Sequence, residues 1–143
     1  MKIIPFFEND LNKLANEISL FKDEKSLWEI KDGITNPAGN LALHLIGNLN
    51  HFIGKTLVGT DFVRNRDEEF SLKNVPQAKL ISDINEVKDT IKNTLSNLSQ
   101  EDLQKDFPIK IRDEVFSTET MLVYLLAHLN YHLGQVNYLR RMI

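Results

Sequence analysis

Ala127-His128-Leu129-Asn130-Tyr131-His132-Leu133-Gly134-Gln135, near the C-terminal end, holds two of the four histidines of the chain, four residues apart. On a helix this spacing stacks both imidazoles on one face, within reach of a single ion. The surrounding sequence is helical in pattern. Met121, Leu122, Leu125, Leu126, Leu129, Leu133, Val136 and Leu139 recur at steps of three and four. Ser117 or Thr118 offers an N-cap and Glu119 an acidic first turn. Arg140 and Arg141 stand at the end that favours cations.

Working back from there, three more amphipathic segments emerge. Phe7, Leu11, Leu14, Ile18 and Phe21 predict a helix over about Pro5–Phe21. Asn36-Pro37 reads as an N-cap followed by proline at the first helical position, opening a helix that runs to about Val58. Its stripe is Leu41, Leu45, Leu49, Phe52 and Ile53, with His44, Asn48 and His51 along one flank. Leu80, Ile84, Val87, Ile91, Leu95 and Leu98 predict a third helix over about Pro76–Leu98. The fold class is therefore all-α, a four-helix bundle in a single domain over residues 1–143.

The connections carry expectations of their own. Gly59–Val75 is long for a bundle and rich in charge: Asp61, Arg64, Arg66, Asp67, Glu68 and Glu69. It reads as a solvated crossover, or as a lid whose Arg64 or Arg66 meets an anionic substrate. Residues 105–116 alternate and interrupt in the manner of a small hairpin. Trp28, the one tryptophan, reads as a plug over the end of the core, the other reading being a ligand pocket.

Composition removes several classes of function. The chain has 143 residues, 42% hydrophobic and 26% charged, with a net charge of −3. Lysine and arginine are mixed with acids, so no basic patch marks a nucleic-acid partner. No run of about 18 apolar residues exists to span a membrane. The N-terminal apolar run is too short for a leader and meets Glu8 and Asp10 at once. The absence of cysteine excludes disulfides, thiolate ligands and a cysteine nucleophile. These readings lead to the expectation of a cytoplasmic protein.

A single histidine beside an apolar stripe is ordinarily a hydrogen-bonded boundary residue, and all four could be core polar groups of a plain scaffold. The pair at 128 and 132 argues otherwise if another helix supplies a third ligand. His44 and His51 are seven residues apart, roughly 10 Å along a helix axis. With metal–nitrogen bonds of about 2.0–2.1 Å, one ion serves one of them and not both. Spacing alone does not say which. The other is structural, supports the ligands or lines the pocket.

Three imidazoles without a carboxylate leave coordination positions open, as in catalytic sites. Zinc fits best, and nickel or iron(II) also accept imidazole. An open position can acidify a water or accept a small thiol as thiolate. No general base stands nearby, and the protease motif His-Glu-x-x-His is absent. Gln135, three residues after His132, can hydrogen-bond a ligand imidazole.

His128-x-x-x-His132-x-Gly134-Gln135 resembles the closing motif of the DinB-like metal-binding four-helix bundles, and Leu43-His44-Leu45 resembles the site of that family's first histidine. Asn40-Leu41-Ala42-Leu43-His44-Leu45-Ile46-Gly47-Asn48-Leu49-Asn50 resembles a subgroup of uncharacterised bacterial members. The resemblance implies that His44, rather than His51, joins His128 and His132 as the metal triad. It also implies a divalent metal, a homodimer and a small-molecule ligand. Some relatives are thiol-dependent S-transferases or isomerases using bacillithiol or mycothiol. Others have no known activity, and the founding member is a DNA-damage-inducible protein with no assigned chemistry, so a non-catalytic metal-binding or stress-response bundle is the alternative. Leu133 stands where many relatives carry arginine, so a role resting on that cation is not expected here.

Overall fold

In a computed structural model, which describes residues 2–143, the periodic segments become the long helices. Met1, the first residue of the stretch read for a leader, lies outside the described residues. Helix α1 spans Ile4–Ser19, with Pro5 in its first turn, where a missing N–H costs nothing. Helix α2 spans Ala38–Leu49 and continues as a π-helix over Asn50–Val58. Helix α3, Arg66–Ser71, is short. Helices α4, Gln77–Ser96, and α6, Thr118–Met142, are long, and α5, Gln100–Gln104, is a single capped turn. Helix α1 packs on α4 and α6, and α2 packs on the same two from the other side. The seam between them is filled by Phe7, Leu14, Leu45, Leu49, Ile84, Ile91, Leu125 and Leu129, all sealed from solvent.

Three boundaries differ from the sequence expectation. Helix α2 begins one residue late: Pro37 has ψ 159°, so it acts as N-cap instead of first helical residue, and Asn36 caps nothing. The half of this helix after Leu49 is wound more widely than an α-helix. There the Thr56 hydroxyl donates to the His51 carbonyl at 2.8 Å, and the segment stops at Gly59 in the left-handed region, φ 71°. The charged connection is not a bare lid, because α3 forms within it. Asn65 accepts from the Glu68 N–H at 3.3 Å, and Asp67, Glu68 and Glu69 fill its first turn, where the helix dipole favours acids.

The expected hairpin at 105–116 is reduced to a folded loop. Arg112 and Asp113 both have positive φ, the pattern of a tight two-residue hairpin turn, and Ile111 and Glu114 exchange backbone hydrogen bonds at 2.9 Å. Pro108 has no N–H to extend the ladder, and pairing persists only as isolated bridges at Ile111–Glu114 and Asp106–Ser117. Trp28 is half-buried beside Gly39, so close that a methyl group there would meet the ring at 2.7 Å. Among the described residues no helix is long and apolar enough to cross a membrane.

Helix α6 is organised by face. Leucines turn to the core. Asn130 donates to Asp10 at 3.0 Å and Asn137 to Glu17 at 2.7 Å, and Arg140 closes an ion pair with Glu17, which ties this helix to α1. Burial raises the Glu17 pKa, but the bonds from Arg140 and Asn137 outweigh it and hold the carboxylate charged. Asn130 thus points away from the histidines beside it. The third face carries His128, His132 and Gln135 towards α2.

Candidate metal centre

His44 reaches the seam from α2 and is 6% exposed, while His128 and His132 are half-buried on successive turns of α6. Their ring centroids stand 4.6 Å apart, and those of His44 lie 5.0 and 5.2 Å from them. One nitrogen from each ring falls within 4.8 Å of the others. His44 Nε2 and His128 Nε2 are 3.1 Å apart.

The outer nitrogens fix the tautomers. Glu69 Oε1 accepts from His44 Nδ1 at 3.0 Å, and Gln135 Oε1 accepts from His132 Nδ1 at 2.7 Å. Both rings then present an Nε2 lone pair inwards. For bonds of about 2.0–2.1 Å, a tetrahedral ion spaces its ligand nitrogens about 3.3–3.4 Å apart. The observed 3.1 Å between His44 Nε2 and His128 Nε2 is close to that edge. The donor set and its geometry fit a divalent ion held by three imidazoles.

Glu69 is the residue that sequence reasoning missed. It is 6% exposed and takes Arg64 on both oxygens at 2.9 Å, Nε to Oε2 and Nη2 to Oε1. Burial pushes its pKa up, but the bonds from His44 and Arg64 outweigh this and keep it ionised. Room for the carboxylate comes from Gly47, one turn after His44, where a methyl group would overlap it. Asn40 anchors α3 from the same side of α2, donating to the carbonyls of Glu69 at 2.9 Å and Leu72 at 2.8 Å. Lys73 in turn donates to Asn40 Oδ1 at 2.5 Å. Asn40 and Gly47, seven residues apart on a helix otherwise rich in leucine, were the visible trace of this contact.

The remaining expected residues divide. Arg64, read as a free cation for an anionic substrate, is turned inwards onto Glu69 with 13% of its side chain exposed. Arg66 is exposed and stands 5.3 Å over the Phe70 ring, which itself lies 4.9 Å from His44. His51 is not in the cluster and packs on Phe52 at 4.8 Å. Burial, then the Arg64 charge, hold its pKa down. Asn48 is buried and its Oδ1 has no partner. Leu133 is part of the core.

Burial, followed by the neighbouring His132 and His44, pushes the His128 pKa down from 6.5 to about 4, and burial also lowers that of His132. Both rings are thus kept neutral, as ligation requires. The sign for stability follows. Between pH 6.5 and about 4 the unfolded chain takes up a proton that folded His128 refuses. The metal-free protein is expected to keep its full melting temperature above pH 7 and lose it steadily as pH falls through that window. Thermal melts across pH check this. An unchanged melting temperature down to pH 4.5 would contradict the buried neutral ring.

Comparison with solved structures places the bundle. It is similar to the crystal structure, at 2.01 Å, of a DinB-like protein from Bacillus cereus ATCC 10987, with a TM-score of 0.72 over 93% of this chain and 85% of that one. Identity is 18%, so the likeness is one of fold: an all-α bundle of the DinB-like kind. The chain belongs to the DinB-like family described as "Protein of unknown function (DUF1572)", which matches residues 6–143. The comparison with curated proteins gave no match.

Proposed function

We propose that the protein is a divalent-metal-dependent enzyme in which His44, His128 and His132 hold zinc, with nickel and iron as the other ions this donor set accepts. The observation that carries the reading is the convergence of three imidazoles, two of which, His44 and His132, have their outer nitrogens pinned so that the Nε2 lone pairs face inwards. The proposed reaction is a thiol-dependent S-transfer. When bound, the ion supplies the Lewis acidity that makes a low-molecular-weight thiol a thiolate at neutral pH. Glu69 orients His44 and offsets the charge brought in, Gln135 orients His132, and burial keeps His128 and His132 unprotonated. A thiol cofactor suits a reducing, cytoplasmic compartment, as does a chain without cysteine.

One observation favours a second reading, a non-catalytic metal-binding or stress-response bundle. The carboxylate at the cluster, Glu69, is already committed to His44 and Arg64 and is not free to move protons for a substrate. Elemental analysis of purified protein, then thermal shifts with metals alone and with metals plus low-molecular-weight thiols, separates the two. A thiol-dependent shift seen only with metal supports the enzyme. Metal binding without it favours the second reading, and no affinity for any divalent metal ends both.

A homodimer is part of the proposal. Tyr124, Tyr131 and Tyr138 stand exposed along α6 at seven-residue spacing, with Ala127 and Gly134 between them. Antiparallel pairing of two such helices seats tyrosines over small residues. Sedimentation is expected to give a dimer at micromolar concentration and a monomer for Tyr131→Glu. A monomeric parent protein would refute it.

A further inference from the structure

Two of the three ligand imidazoles have a visible outer partner, Glu69 for His44 and Gln135 for His132. His128 has none: its Nδ1 is buried and meets no hydrogen-bonding atom. Among the described residues two other buried side-chain polar atoms share that condition. One is Trp28 Nε1, on the tryptophan that packs at Gly39 near the start of α2. The other is Asn48 Oδ1, on a residue 7% exposed.

The helix register brings Asn48 towards His128. Leu41 lines one cleft with Gln135, Tyr138 and Leu139, whereas His44 meets His128 and His132. Advancing along α2 therefore means moving back along α6, so the helices run antiparallel. Asn48 lies one turn beyond His44 on the same face, about 6 Å further along the axis. That step leads away from Gln135 and towards the turn that bears His128.

The chemistry is complementary. Ligation through Nε2 requires the His128 proton to sit on Nδ1, as a donor. Asn48 Oδ1 is an acceptor. We propose that Asn48 is the positioning residue for His128, its amide oxygen receiving the Nδ1 proton, directly or across one water, when Nε2 holds the ion. This rests on the metal reading above and extends it, completing a set in which each ligand ring is oriented by one oxygen.

The test compares wild type, Asn48→Leu and Asn48→Asp, using zinc alone as probe. Removal of an outer partner weakens metal affinity about 10–100-fold. Asn48→Leu is expected to bind zinc at least tenfold more weakly. In the metal-free state it should melt at or above wild type, because leucine replaces a buried amide whose oxygen is unpaired. Asn48→Asp, which keeps an acceptor, should bind at least as tightly as wild type. In zinc-loaded wild type, NMR should show a slowly exchanging His128 Nδ1–H resonance that is lost in Asn48→Leu.

Equal zinc affinity in wild type and Asn48→Leu overturns the assignment and leaves the metal site standing. So does the absence of the protected Nδ1–H signal from zinc-loaded wild type, a result that does not depend on any variant folding. A wild type that binds no zinc removes the metal reading itself, and this inference with it.

Discussion

Replacing His128 by alanine is expected to abolish metal-dependent stabilisation while leaving the metal-free fold intact. A ligand that binds only the native state stabilises it by about 4 kcal/mol at a thousandfold excess over Kd. Wild type should therefore show a large rise in melting temperature with zinc, and His128→Ala essentially none. The metal-free variant should lose little, because the deleted ring is half-buried and its Nδ1 has no partner to forfeit. His51→Ala is the control. That ring packs on Phe52 outside the cluster, and its loss should leave metal content unchanged. Equal zinc responses in wild type and His128→Ala would end the three-histidine assignment.

Glu69→Ala is expected to be the most damaging single change outside the apolar core. Breaking a buried ion pair by removing one partner costs about 3–5 kcal/mol, because the other charge is left uncompensated. Arg64 retains some access to water, so a value near the lower end, about 3 kcal/mol, is expected. For a chain of this size that corresponds to roughly 10 °C in melting temperature. Metal affinity should fall as well, by about 10–100-fold, since His44 loses the oxygen that fixes its tautomer. Glu69→Gln separates the effects: the amide keeps the volume and an acceptor but not the charge, so it should recover part of both losses. Calorimetry with and without zinc reads both quantities. A Glu69→Ala protein that melts within 2 °C of wild type and binds zinc equally would show the network to be ornamental.

The sequence made some of this visible and concealed the rest for identifiable reasons. Leu80, Ile84, Val87, Ile91 and Leu95 announce α4 because a buried stripe must repeat at the helical period, and all five are buried. His128 and His132 announce themselves by spacing along one helix, a local property. Glu69 gave no such signal. It follows Asp67 and Glu68, in a run that reads as solvent-facing, and its importance comes from contact with His44, twenty-five residues away. Arg64 was noticed for its charge but assigned outwards, because nothing local says which neighbouring acid it will meet. His44 and His51 were equal candidates by spacing. What separates them is packing: His44 enters the seam with α6, while His51 lies past the point where the winding changes.

That change of winding has a consequence for how the chain tolerates insertion and loss. The segment Asn50–Val58 carries more residues per turn than the α-helix before it. It works as slack, and removal of one residue there can be absorbed by tightening the coil. The same deletion within Ala38–Leu49 has no such outlet. It would rotate one end of the helix against the other by about 100°, the turn of a single helical residue, and carry His44 out of register with Gly47 or with the core. Length variation among relatives should therefore collect on the far side of Leu49, leaving the histidine-bearing half a fixed length.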